Sequence, residues 1–139
     1  MAAISGITAV RPTSTTTLAS RAPVIYGATA SAGQAAYLDA TDSKYKLADS
    51  NATAATAAAV GIFVTPGVDT GYGYVATGGS IILVGTTMVV GTVYCVGATP
   101  GDIVPISDLT TGDRTTILGT AATTTQLDLA IKASGIVKP

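Results

Sequence analysis

Turn-forming residues divide this chain so closely that no long regular element fits between them. Clusters of Gly, Pro, Asn and Asp interrupt the sequence about every 8–12 residues, and the intervening stretches are short and rich in Val, Ile, Tyr and Thr. Such spacing is typical of a small antiparallel barrel or sandwich. The sequence therefore predicts an all-β fold, and it leaves the choice between a barrel and a sandwich open.

The apolar side chains of this protein are mostly small. Hydrophobic residues make up 47% of its 139 residues, yet aromatic residues make up only 5%, and Phe63 is the one Phe. Small side chains bury little area each, so the core of a single copy should be thin. We expect part of the apolar surface to be buried against a partner.

The N-terminal stretch differs from the remainder of the chain. Its segment TSTTTLAS at 13–20 is polar and β-branched and has no helical periodicity. We therefore predict an extended N-terminal arm over 1–22, which is either disordered or laid as a strand on a neighbour, and a single β-rich domain over 23–139. Removal of residues 1–20 is expected to leave a folded chain.

Local patterns place the elements within the domain. Residues 35–39 and 44–47 flank a polar turn and predict a hairpin, and Pro105 predicts an edge position for the strand at 103–106. The Ala-rich stretch 49–59 is the one helix candidate, with Asp49 or Ser50 as its cap. Further strands are predicted at 24–26, 60–65, 80–84, 86–90, 91–96, 115–121, 126–131 and 135–137. In the strand at 126–131, apolar residues at 127, 129 and 131 alternate with Asp128, Ala130 and Lys132, which predicts one dry and one wet face.

A weak internal echo accompanies these strands. The order Gly, Tyr, small-Asp and aliphatic-Gly occurs over 33–61 and again over 91–119. We interpret the echo as two copies of one β unit that face each other. Chance is the competing interpretation, because Gly and Asp are common in turns.

Charge and residue types argue against several function classes. The chain has 7 Lys and Arg, 8 acids that are all Asp, a net charge of −1 and no His. Seven scattered cations make a poor nucleic-acid surface, and without His the commonest general base and metal ligand is missing. Cys95 is the only Cys, so it has no disulfide partner within the chain. We predict that it is a buried structural thiol. We predict no enzyme activity, no metal and no cofactor.

No stretch of the sequence predicts secretion or membrane insertion. The N terminus lacks a basic region followed by an apolar one, and the longest apolar run, IILV at 81–84, is too short to span a bilayer. Synthesis in the cytoplasm, with no membrane partner, is therefore expected.

The stretch GYGYVA at 71–76 matches a dinucleotide glycine pattern only superficially. It does not lie between a strand and a helix of a βαβ unit, so a glycine-rich turn explains it better. Tyr72 and Tyr74 are two residues apart and would share one face of a strand. They could stack on sugars or pack on a neighbouring subunit, and the second is favoured because Tyr is enriched at protein contacts.

The ordered set of turn motifs resembles small head proteins of tailed bacteriophages, the capsid decoration or cement proteins. Each motif is short, so the likeness rests on their order, which covers roughly residues 30–136. The motifs are AGQAAYLD at 32–39, LADSNA at 47–52, AVGI at 59–62, GGSI at 78–81, GTVY at 91–94, PGDIVPISDLTTGD at 100–113, LGTA at 118–121 and ASG at 133–135.

The resemblance implies a β-tulip or small barrel that forms a homotrimer on the outer surface of the phage head, with the major capsid protein as its partner and no enzymatic activity. Two alternatives stay open: a structural protein of the tail or baseplate, and a carbohydrate-binding β module. Candidate interface residues are Arg11, Thr15, Thr16, Thr17 and Leu18 in the arm, and Tyr72 and Tyr74 in the domain.

Overall fold

The computed structural model of the protein describes residues 3–13, 17–18 and 23–139. Strands make up 47% of it, and they curl into a half-barrel sheet of eight antiparallel strands with one short helix, which confirms the all-β prediction. The elements are β1 Ala9–Pro12, β2 Thr17–Leu18, β3 Val24–Ile25, β4 Ala35–Asp39, β5 Lys44–Leu47, α1 Ala54–Ala57, β6 Gly61–Phe63, β7 Tyr72–Gly73, β8 Val75–Val84, β9 Val93–Val96, β10 Ile103–Pro105, β11 Arg114–Ala121 and β12 Gln126–Val137.

The main sheet consists of two four-stranded units that have the same connectivity and lie in mirrored order. Its strand order is β10-β9-β11-β12-β8-β6-β4-β5, so the unit β4-β5-β6-β8 is repeated in mirrored order by β9-β10-β11-β12. In each unit the first two strands pair, the third pairs with the first, and the fourth pairs with the third. The internal echo in the sequence thus corresponds to a repeated strand connectivity.

A matching glycine lies in the third strand of each unit. A Cβ atom at Gly61 would collide with the carbonyl oxygen of Ala76, and one at Gly119 would collide with that of Asp128. Both carbonyls belong to the fourth strand of the unit. The aliphatic-Gly part of the echo therefore has a physical cause, which is the close approach of two backbones.

Strand β8 pairs with strands of both units. Its first part, 75–78, pairs with β6 and β2, and its second part, 79–84, pairs with β12 and β1. The change of partner falls at Gly78 and Gly79, and Gly79 has a φ of +71°. Strands that pass from one sheet to another commonly bend at such a residue.

The main core lies between the two units. It contains Ile62, Leu83, Tyr94, Leu118 and Leu127, all nearly inaccessible to solvent, together with several alanines. Along β12, Leu127 and Leu129 are buried while Asp128 and Ala130 are exposed, which confirms the predicted dry and wet faces.

The described part of the N-terminal stretch lies on the domain of its own chain. Strand β1 pairs with β8, the amide of Ile4 donates to the carbonyl oxygen of Ile103, and Val10 is buried in the core. Removal of 1–20 would thus remove a core residue and two strands, β1 and β2, which argues against an unchanged fold after that deletion. The division at residue 22 stays a prediction.

The helix, and the strand predicted at 86–90, differ from the sequence prediction. Helix α1 is a single turn that begins after Thr53, whose side chain accepts from the amide of Thr56, so the predicted caps Asp49 and Ser50 are wrong. Residues 86–89 lie in a loop although Met88 is buried, because burial there comes from packing on the core and not from a sheet. The hairpin β4–β5 is confirmed, with Asp39 opposite Lys44, and β10 is confirmed as an end strand.

Candidate interaction surfaces

Titratable side chains do not converge on a reactive centre in the described part of the chain. No group of three or more His, Cys, Asp or Glu side chains could hold a metal ion there. Cys95 is buried, and this burial raises the pKa of its thiol to about 11. A thiol with that pKa is almost wholly protonated at neutral pH and is a poor nucleophile.

Among the described residues, no helix is long and apolar enough to cross a membrane.

A network of charged side chains closes the β4–β5 hairpin. Lys46 Nζ lies 2.7 Å from Asp39 Oδ2 and 3.0 Å from Asp42 Oδ2. The hydrogen bond from Lys46 lowers the pKa of both carboxyl groups and raises the pKa of the ammonium group. The partners satisfy one another, so this network has the geometry of a structural clasp.

The first exposed apolar surface is formed by strand β3 and the turn that precedes β7. Ile25 is the cross-strand partner of Tyr72, and the amide of Gly71 donates to the carbonyl oxygen of Val68, which folds the turn against the strand. Tyr72 is 69% exposed and Val68 is 61% exposed. We call this surface, with Ile25, Val68, Asp69 and Tyr72, the tyrosine knob.

Tyr26 fixes the base of the tyrosine knob. Its ring is fully buried against Phe63, with ring centroids 4.7 Å apart. Its hydroxyl lies 2.7 Å from the carbonyl oxygen of Thr65 and 3.1 Å from that of Tyr74, and burial raises its pKa. The knob therefore stands on a rigid support and keeps its shape without a partner.

The second exposed surface is a two-stranded projection. Beyond Leu129, β12 has lost its partner β8 and pairs only with the start of β11, where Arg114 lies opposite Val137. Ile136 is 65% exposed, and Gly135, at a φ of +70°, bulges the strand beside it. We call residues 114–117 and 130–138 the basic ribbon, because they contain Arg114, Lys132 and Lys138 and no acid.

Three of the clefts in the described part of the chain add to these surfaces. One of about 620 Å³ lies between β4 and α1 and is lined by the half-exposed Leu38 and Val60. Clefts of about 270 and 240 Å³ flank Ile4 and Ser5, where the N-terminal segment crosses the domain. Asp102 lines the smallest of the three, and burial raises the pKa of its carboxyl group.

The sequence-predicted interface residues are spread over two regions. Arg11 is exposed on β1, and Thr17 and Leu18 form β2, which pairs with β8. Thr15 and Thr16 lie outside the described residues. Tyr72 is exposed, whereas Tyr74 is only partly exposed, and its amide donates to Thr65 Oγ1.

Sequence reasoning missed the basic ribbon. It predicted separate strands at 126–131 and 135–137, because the ASG motif at 133–135 resembles a turn. The available signal was the run of charges after Asp128, in which Lys132 and Lys138 are not followed by any acid.

Comparisons with known proteins add no relative. No family model matches the chain. No curated protein matches it either.

Proposed function

We propose that this protein is a structural virion protein, a decoration or cement protein that binds the outer surface of a tailed-phage head and stabilises the capsid lattice. Its partners would be the major capsid protein and further copies of itself, in a homotrimer. It would be made in the host cytoplasm and end on the head surface. The proposal extends the motif resemblance described above.

The observation that supports this proposal most is the grouping of large apolar side chains outside the core. Val68 and Tyr72 on the tyrosine knob, and Ile136 and Val137 on the basic ribbon, are each 46–69% exposed. Apolar groups that cluster at the surface commonly mark contacts with other proteins. A lattice protein needs several such contacts per copy, and many weak contacts made together give strong overall binding.

The N-terminal segment supports a second contact, with the capsid. Arg11 is exposed on β1, whose only strand partner among the described residues is β8. An exposed strand edge of this kind can accept a strand from another protein through main-chain hydrogen bonds. Val10 anchors the same strand in the core, so the edge is held in place.

Microscopy of phage particles with and without this chain tests the proposal. Density on the head surface, arranged with three-fold symmetry, is expected only when the chain is present. Rings of density along the tail or at the baseplate would instead support the tail alternative. Absence of the chain from purified particles would overturn both virion roles.

A carbohydrate-binding module is the second candidate, because the exposed ring of Tyr72 could stack on a sugar. A glycan array tests it, with Tyr72→Ala as the matched variant. Binding that the variant loses would favour this candidate over the virion role. An array without binding would remove it.

A further inference from the structure

The tyrosine knob and the basic ribbon carry opposite charge beside similar apolar groups. Asp69, in the knob, has no hydrogen bond or ion pair with any described residue, and it is the only charged residue between 47 and 101 apart from Asp49. Lys132 and Arg114, in the ribbon, also lack an ionic partner within the described residues. Each surface thus presents an uncompensated charge next to exposed apolar side chains.

The ribbon concentrates the positive charge of the chain. It holds three of the seven Lys and Arg residues, while the whole chain has a net charge of −1. The rest of the surface is therefore more acidic than the net charge indicates, and a second copy of the same chain offers an acidic partner. Opposite charges orient two surfaces and raise their association rate, while the apolar groups provide most of the affinity.

We propose that the basic ribbon of one copy binds the tyrosine knob of the next copy, head to tail. Tyr72 and Val68 of the knob pack on Ile136 of the ribbon, and Asp69 faces Lys132, because consecutive strand residues point to opposite faces and a single contact uses one of them. Two different surfaces that bind each other form a heterologous contact, which closes into a ring when the rotation between copies allows it. This inference rests on the proposed trimer and names the surfaces that would join its subunits.

Both surfaces are shaped for such a contact before they meet. The knob is fixed by buried Tyr26, and the ribbon is a paired β hairpin whose Ser134 Oγ donates to the carbonyl oxygen of Thr115. Preformed surfaces lose little conformational freedom on binding. The contact therefore does not need a segment to fold first.

Charge reversal tests the contact. Asp69→Lys and Lys132→Glu should each weaken self-association about tenfold in Kd, because each places like charges across the contact. The double variant Asp69→Lys with Lys132→Glu should recover most of the wild-type affinity, because the pair is reversed as a whole. Analytical ultracentrifugation of the purified full chain measures the three values, and circular dichroism checks that each variant is folded.

Ala122→Glu is the control, because Ala122 is exposed in the turn that joins β11 and β12, at the end of β12 opposite to the ribbon. Its self-association should equal that of the wild type. Single reversals without effect, or a double variant as weak as the singles, would overturn the inference. So would a wild-type chain that decorates heads yet stays monomeric in solution, whereas a chain absent from heads contradicts the proposed function and not this contact.

Discussion

The two β units share their strand order but close their ends by different chemistry. The hairpin of the first unit, β4–β5, is closed by charge, with Lys46 between Asp39 and Asp42. The corresponding turn of the second unit is closed by the backbone, where the amide of Gly97 donates to the carbonyl oxygen of Asp102. The two units thus share their strand connectivity, while the groups that close their first hairpins differ.

The two units also differ in the smaller hydrophobic clusters that lie outside the main core. The first carries an aromatic cluster around Tyr26 and Phe63, and the second carries a smaller cluster of Cys95, Val104 and Leu109. The larger cluster supports the tyrosine knob, whereas the last strand of the second unit runs on into the basic ribbon. The features that the two units do not share therefore support different exposed surfaces, the tyrosine knob in the first unit and the basic ribbon in the second.

The largest effect is expected in the aromatic cluster. Phe63→Ala should lower the free energy of unfolding by about 3–5 kcal/mol, because it empties a fully buried ring site. Urea unfolding followed by circular dichroism measures the change. Phe63→Leu, which keeps most of the volume, should cost about 1 kcal/mol, and equal losses in the two variants would show that the ring packing is unimportant.

The repeated glycines should respond alike. Gly61→Ala and Gly119→Ala should each lower the free energy of unfolding by about 1–3 kcal/mol, because the new methyl group meets a backbone carbonyl that cannot move freely. Thr120→Ala, at an exposed neighbouring position, is the control and should stay near the wild type. A loss of stability in only one of the two glycine variants would contradict the structural equivalence of β6 and β11.

The small cluster of the second unit should tolerate truncation better. Cys95→Ala should lower the free energy of unfolding by about 1 kcal/mol, since one buried sulfur is lost. In the wild type, a thiol reagent at neutral pH should modify Cys95 only as fast as the chain opens, because the pKa of the buried thiol is about 11. Rapid modification of the folded protein would contradict this burial.

The smallest effect on stability is expected at the charged clasp. Because its pKa is lowered in the folded state, the Asp39 carboxylate contributes stability above its unfolded pKa, and this is lost as the pH falls through the folded pKa. NMR titration should place the Asp39 midpoint below the ordinary Asp value and return it toward that value in Lys46→Met. An unchanged midpoint in the variant would show that Lys46 does not cause the shift.

The sequence predicted those elements whose cause is local. The polar turn at 41–43 predicted the first hairpin, and the alternation from 127 to 131 predicted the dry face of β12. It missed the extent of β8, because GGS at 78–80 looks like a turn, although those residues carry the strand from one unit to the other. That role depends on partners distant in sequence, which no local pattern contains.

The candidate surfaces were predictable only in part. Tyr72 was predicted as an interface residue from its residue type and its spacing from Tyr74. Prediction of the ribbon would have required knowledge of where β8 stops pairing with β12. Exposure of a strand depends on the absence of a neighbour in space. Charge could have pointed to the ribbon, since Lys132 and Lys138 lie in a segment without acids.

The crossing of the N-terminal segment has a consequence for the timing of folding. Ile4 bonds to Ile103 and β1 pairs with the end of β8, so residues synthesised early find their places only after much of the chain has left the ribosome. Contacts so distant in sequence form slowly. Until then the outer edge of β8 lies open, and newly made chains at high concentration are most exposed to mispairing with one another during that interval.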